Sequence, residues 1–155
     1  MDVFDQYSGE TIGRDRDMIL DRKYYNAPGM RTSRVLLGLD AAIHWRHDAD
    51  CATIGLVEGV FDAARLGPPF VSMMGLTLKP GQVEALIGCG FKRVLYLCDR
   101  DGCDENVMRT RESMRLLKPY FEKVQELELP SGLKDAGEMT PEQAAELRER
   151  LGLPG

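Results

Sequence analysis

Apolar positions along this chain fall into short, separated blocks. Ala52–Val57 (ATIGLV) is a continuous apolar run, the pattern of a strand buried on both faces. Phe70–Met74 forms a second short run after Pro68 and Pro69, and Arg93–Cys98 (RVLYLC) a third, the most apolar. Val124–Leu129 alternates with period two, as a fourth strand would. Between these blocks the period lengthens. Residues 35–50 read as a short helix, and Asp62–Leu66 as another. Pro80 suits a first helical position, Val83, Leu86 and Ile87 supply an apolar face, and Gly88 and Gly90 end the helix. Over Glu105–Lys118 the residues Val107, Thr110, Met114 and Leu117 recur at helical spacing, and Pro119 stops the run. Thr140-Pro-Glu-Gln143 is a capping box, opening a helix with Ala144, Leu147 and Leu151 inward. Strands separated by helices predict an α/β domain: a mostly parallel four-stranded sheet flanked by helices. Every strand of that sheet lies after Ala52, so the sheet is expected to survive loss of the first 34 residues.

Composition changes this picture little. The 155 residues suit one domain with a small appendage, and 43% hydrophobic with 29% charged residues is ordinary for a globular protein. The start, MDVFDQYSGE, has no basic and apolar regions of a signal peptide, and no apolar run reaches the roughly 18 residues that span a bilayer. A cytoplasmic protein with no membrane partner is expected. The formal net charge of -5 argues against a protein that coats DNA by charge alone, and is compatible with an acidic cluster neutralised by cations. Cys51, Cys89, Cys98 and Cys103 include no C-x-x-C pair and read as buried or half-buried thiols. His44 and His47 are three apart on a helix face, with nothing nearby to complete a ligand set.

The chemistry lies at the strand ends, where parallel sheets bind ligands. The first strand runs into Glu58-Gly59-Val60-Phe61-Asp62, and the third into Asp99-Arg100-Asp101-Gly102. Neighbouring strands are about 4.8 Å apart, so adjacency would bring Glu58 and the Asp99/Asp101 pair together. Clustered carboxylates repel one another without a cation, and hard oxygen ligands suit Mg²⁺ or Mn²⁺. Gly59 and Gly102 leave the backbone open to an approaching phosphate. The plainer reading is that an acidic residue just after a strand caps the next helix, which would account for Asp62 and Asp104.

Together these motifs resemble a TOPRIM domain, the Rossmann-like module shared by DnaG-type primases, topoisomerases and some nucleases, over about Thr53 to Met139. Glu58 matches its glutamate, and Asp99 and Asp101 its D-x-D. Val57–Asp62 is similar to the primase V-E-G-x-x-D, and Leu129-Pro-Ser-Gly-Leu-Lys-Asp135 to L-P-x-G-K-D-P-D with one residue inserted. Upstream, Asp5–Gly13 resembles the D-x-x-G-x-x-I-G hairpin of the primase core. Lys23–Pro28 resembles its K-Y-L-N-S-P, and Arg34–Leu39 its R-x-L-Y-G-L. The implied organisation is a primase-core-like segment at 1–50, a TOPRIM domain at 51–139 and a C-terminal helix at 140–155. There are departures: Arg100 stands at a usually small position, Cys103-Asp104 replaces A-G, Gly137 replaces the second aspartate of K-D-P-D, and Thr32 or Ser33 replaces a common lysine.

The resemblance implies the metal-binding part of a DnaG-like bacterial or phage primase, making RNA primers on single-stranded DNA from NTPs. Glu58, Asp99 and Asp101 would hold Mg²⁺ or Mn²⁺ and carry catalysis, with Asp62 and Asp135 at the same metal site. Lys23, Asn26 and Arg34 would contact nucleotide or template phosphates. A replicative helicase, or a separate zinc-ribbon or N-terminal primase subunit, would be a partner. Since the family's zinc ribbon and much of its N-terminal core have no counterpart here, weak synthesis by the isolated chain is expected. Two other readings stand: a TOPRIM hydrolase (nuclease or ribosomal-RNA maturase), and a non-catalytic adaptor binding nucleic acid or replication proteins.

Overall fold

The computed structural model describes residues 3–4, 11–13, 31–99 and 104–155, without the side chains of 3–4, 11–13 and 104–106. The chain forms two compact units, Met1–Arg31 and Thr32–Gly155. In the first, β1 (Val3–Phe4) pairs antiparallel with β2 (Thr11–Gly13), where the resemblance placed a hairpin. Lys23 and Asn26 lie outside the described residues.

The second unit alternates helix and strand. In order it holds α1 (Leu39–Asp48), β3 (Thr53–Val57), α2 (Val60–Leu66), β4 (Phe70–Ser72), α3 (Pro80–Ile87) and β5 (Arg93–Leu97). Then follow α4 (Asp104–Leu117), β6 (Lys123–Leu127), a 3₁₀ turn at Ala136–Glu138 and α5 (Pro141–Arg150). The four predicted strands are all present, and they form one entirely parallel sheet in the order β4-β3-β5-β6. Among the described residues no helix is long and apolar enough to cross a membrane.

The sheet order has a directional consequence. From β3 the chain steps outward to β4, then returns across β3 to place β5 on its other side. Parallel crossovers are right-handed, so reversing the direction of travel must put the connecting helices on opposite faces. They are: α2 contributes Leu66 to one core layer, whereas α3 contributes Val83 and Leu86 to the other. The strands alternate accordingly. Ile54, Leu56, Val94 and Tyr96 enter the layer beneath α1, α3 and α4, while Val57, Leu95 and Leu97 enter the layer beneath α2 and α5. Burial on both faces is why these strands read as apolar runs rather than alternations.

Gly55 is fixed by this packing. A Cβ there would lie 2.2 Å from the Phe70 ring, which crosses from β4 onto the β3 backbone. The α5 capping box forms as predicted: Thr140 Oγ1 accepts from Gln143 N at 3.2 Å, and Thr140 N donates to Gln143 Oε1 at 2.9 Å. Two apolar assignments fail. Ile87 and Val107 are exposed at 45% and 46%, and the inward positions of α4 include Ser113 with Thr110 and Leu117. Ser113 Oγ accepts from Leu78 N at 3.1 Å, so a polar residue occupies a core position by closing off a loop donor.

Residues 32–37 prove integral to the second unit. Leu36 is buried, and Leu37 forms an antiparallel bridge with Ser72 at the outer edge of β4. Gln82, fully buried on α3, donates through Nε2 to the carbonyls of Thr32, Val35 and Met73, and accepts from Lys79 N. This strap therefore modifies the expectation that the first 34 residues are dispensable. A chain beginning at Thr32 should unfold as one cooperative transition, whereas one beginning at Arg34 should have a lower urea midpoint. Equal midpoints would show that the Thr32 contacts contribute nothing. Gly55→Ala should destabilise by about 1–3 kcal/mol through overpacking. Added to Phe70→Leu it should cost less than it does alone, a coupling measurable by a double-mutant cycle in urea.

Candidate functional site

The order reversal at β3 creates a crevice beyond the carboxyl ends of β3 and β5, the place where open parallel sheets bind ligands. Glu58 follows β3 directly and Asp99 lies two residues past β5. Because the strands pair in register from Thr53↔Arg93 to Leu56↔Tyr96, these residues emerge side by side. Glu58 Oε1 accepts from Asp99 N at 3.4 Å. Glu58 is only 8% exposed, and Asp99 is half-buried. The Glu58 carbonyl is held as well, by Ser72 Oγ at 3.0 Å and Gly75 N at 3.4 Å. The glutamate is thus anchored from β4 while its carboxylate faces β5.

Asp62 has a different role from that of a solvated ligand. It is buried at 5% exposure on the first turn of α2. Its Oδ2 accepts from Gly59 N at 2.9 Å, and its Oδ1 from Gly137 N at 2.8 Å. A Cβ at Gly59 would stand 2.5 Å from Asp62 Oδ2, so the glycine makes room for the carboxylate to fold back. The G-x-x-D part of the motif is therefore a helix-opening device, as its plainer reading held. It also clamps a segment 75 residues away. Asp135 caps the 3₁₀ turn, its Oδ1 accepting from Glu138 N at 3.1 Å, while Glu138 Oε2 accepts from Lys134 N at 2.9 Å. The L-P-S-G-L-K-D segment is in this way brought to α2.

Of the predicted site residues, Glu58 and Asp99 meet, and Asp62 and Asp135 meet around Gly137, whose Cβ would lie 3.2 and 3.1 Å from their Oδ1 atoms. Arg34 is exposed on the strap, against the start of α3 at Gly81. Asp101, the third carboxylate of the paired motif, lies outside the described residues. Among the described residues no three His, Cys, Asp or Glu side chains group closely enough to hold an ion. His44 and His47 are both exposed, and His44 Nδ1 is 2.7 Å from the Asp40 carbonyl.

The surroundings of the carboxyl pair are tuned by burial. Burial pushes the Cys98 thiol up to about 12; Thr110, 3.0 Å from its sulfur, partly opposes this, and Glu58, Glu126 and Asp99 add to it. Cys98 is accordingly a neutral thiol at physiological pH rather than a thiolate ligand. Burial also raises the Tyr96 phenol, in the same core layer as Cys98; the nearby Ser113 hydroxyl opposes it, though the pair lack hydrogen-bond geometry. Cys51, Cys89 and Cys98 are half-buried free thiols, as read from the sequence; Cys103 lies outside the described residues. Sequence reasoning missed Arg148. Its guanidinium donates to the carbonyls of Leu66 and Pro68 and, at 2.8 Å, of Pro154, and it sits 5.9 Å from the Trp45 ring centroid. It thereby ties α5 to the end of α2.

Asp62→Ala would strand two backbone N–H groups, at Gly59 and Gly137. The expected loss is about 1–3 kcal/mol of stability, measured by thermal denaturation in the presence of a chelator. An unchanged midpoint under those conditions would show that the Asp62 bracket carries no structural load.

No protein-family model matches the chain, and no curated protein matches it in sequence. Among solved structures it is similar to the Aquifex aeolicus primase, in a crystal structure of the zinc-binding and RNA polymerase domains. The TM-score is 0.69 at 28% identity, covering 93% of this chain and 35% of that one. The chain therefore spans about a third of that structure, and its α/β architecture is a primase-related fold.

Proposed function

We propose that this chain is the TOPRIM portion of a DnaG-like primase and serves metal-dependent nucleotidyl transfer in DNA replication. The observation that carries the reading is the contact of Glu58 Oε1 with Asp99 N across β3 and β5 at the reversal point of the sheet. Two acidic residues at adjacent strand ends, with Asp101 two positions further on, form an oxygen donor set of the kind Mg²⁺ or Mn²⁺ prefers. The likeness to the Aquifex aeolicus primase supports the same class of chemistry.

In this reading Glu58, Asp99 and Asp101 hold the ion. Bound there, Mg²⁺ or Mn²⁺ supplies charge stabilisation for the incoming triphosphate and lowers the pKa of the attacking hydroxyl. Burial of Glu58 and its anchorage through Ser72 and Gly75 keep its carboxylate in place. Asp62 and Asp135 border the site and set its local charge. Lys23, Asn26 and Arg34 contact nucleotide or template phosphates. A net charge of -5 makes grip on single-stranded DNA weak and salt-sensitive, so a helicase or a zinc-ribbon subunit supplies what this chain lacks.

Calorimetry should show Mn²⁺ binding that is lost in Asp99→Asn combined with Asp101→Asn; unchanged affinity would remove the site assignment. NTP incorporation on single-stranded DNA with Mn²⁺ should be weak for the chain alone, raised by an N-terminal primase core or helicase, and abolished by Glu58→Gln. Glu58-dependent template degradation without incorporation would favour the hydrolase instead. Absence of metal binding in the unmutated chain would favour the adaptor.

A further inference from the structure

Among the described aromatic side chains only Phe61 and Tyr120 are exposed, at 69% and 59%; Phe70, Phe91, Tyr96 and Phe121 are buried and Trp45 is half-buried. Tyr120 precedes β6, at the amino end of the sheet. Phe61 stands at the carboxyl end, three residues after Glu58 and one before Asp62. A single exposed apolar residue is ordinary, but this one has four unusual neighbours. Its backbone is held in place, because Asp62 clamps the same helical turn to Gly59 and to Gly137. Its Cβ lies 3.7 Å from where a Gly137 Cβ would stand, so the absence of a side chain there leaves the ring uncovered on that side. And Arg65, one turn along the same exposed face of α2, has neither an ion pair nor a side-chain hydrogen bond among the described residues. Lys134, in the segment packed on α2, is exposed and likewise uncommitted through its ammonium group.

We infer that this face of α2 is a binding track for single-stranded DNA, with Phe61 stacking one base and Arg65 and Lys134 engaging the flanking phosphates. Aromatic stacking combined with nearby cations is the usual recognition of single strands, and residues four apart on a helix are about 5–6 Å apart at Cβ. The neighbouring carboxylates do not oppose it strongly. Asp62 directs both oxygens to backbone N–H groups, and Asp135 and Glu138 each direct one. The inference rests on the proposed nucleic-acid chemistry of the adjacent carboxyl pair, and adds to it which strand surface leads into the crevice.

The test is fluorescence anisotropy of the full chain with a labelled oligo(dT) of about 12 nucleotides at low salt, with and without Mg²⁺. Phe61→Ala should weaken binding on the order of 10-fold or more at each salt concentration, leaving the salt slope unchanged. Arg65→Ala should weaken binding and flatten the slope by about 0.7. Phe61→Trp should retain binding, and its indole should be quenched by the oligonucleotide above the Trp45 background. Should Phe61→Ala melt below the unmutated chain, that quenching decides the matter without it. Affinity unchanged by Phe61→Ala with no quenching in Phe61→Trp would overturn the inference. So would no measurable binding by the unmutated chain, or tighter binding of oligo(rU) or duplex. Loss of Mn²⁺ binding by the unmutated chain, with Phe61-dependent binding of oligo(dT) intact, would strike the metal reading alone.

Discussion

Everything at the carboxyl edge depends on β3 pairing with β5 rather than with strands on one side only. That pairing forces the chain to turn back across its own sheet, and the turn back separates α2 from α3 on opposite faces. It also parts the loops after β3 and β5, so that a crevice opens where Glu58 and Asp99 meet. If β5 were added beyond β4, the same sequence motifs would emerge two strands apart, about 10 Å from one another, and no single ion could bridge them. The register of one strand pair is thus the geometric premise of the proposed chemistry.

Most of the fold was legible because three of its four parallel strands, β3, β4 and β5, are buried on both faces. Such strands must be apolar throughout, and helices between them must carry a stripe, so the sequence blocks announce themselves. The capping box at Thr140 and the proline at the start of α3 were legible for a related reason, since both depend on residues only a few positions apart. What escaped notice was polar and distant. Gln82, Ser113 and Arg148 read as surface residues by type. Each instead binds backbone groups that only the assembled fold brings near: Thr32 and Val35, Leu78, and Leu66 with Pro68. No local pattern marks a side chain whose partner lies dozens of residues away.

The candidate site divides in the same manner. Glu58 and Asp99 were identifiable because each ends an apolar run, and adjacency of the two strands was the one assumption needed. Asp62 was identifiable as a helix opener from its place just after a strand, but its second oxygen could not be assigned from sequence. Its partner at Gly137 belongs to a segment whose place against α2 follows from tertiary packing. The motif residues consequently sort into a pair facing the crevice and a pair holding its wall.

The Leu37–Ser72 bridge has a bearing on solubility. β4 is an edge strand of three buried residues, and its outer backbone would otherwise offer a row of unpaired donors and acceptors to any other extended chain. Leu37 N donates to the Ser72 carbonyl at 3.0 Å, and Ser72 N returns a bond to the Leu37 carbonyl at 2.9 Å. The opposite edge is protected otherwise, by exposed Lys123 and Glu126 on β6. One flank of the sheet is guarded by charge and the other by the chain folding over itself. Any excision that frees the strap therefore bares an edge on which another extended chain can pair.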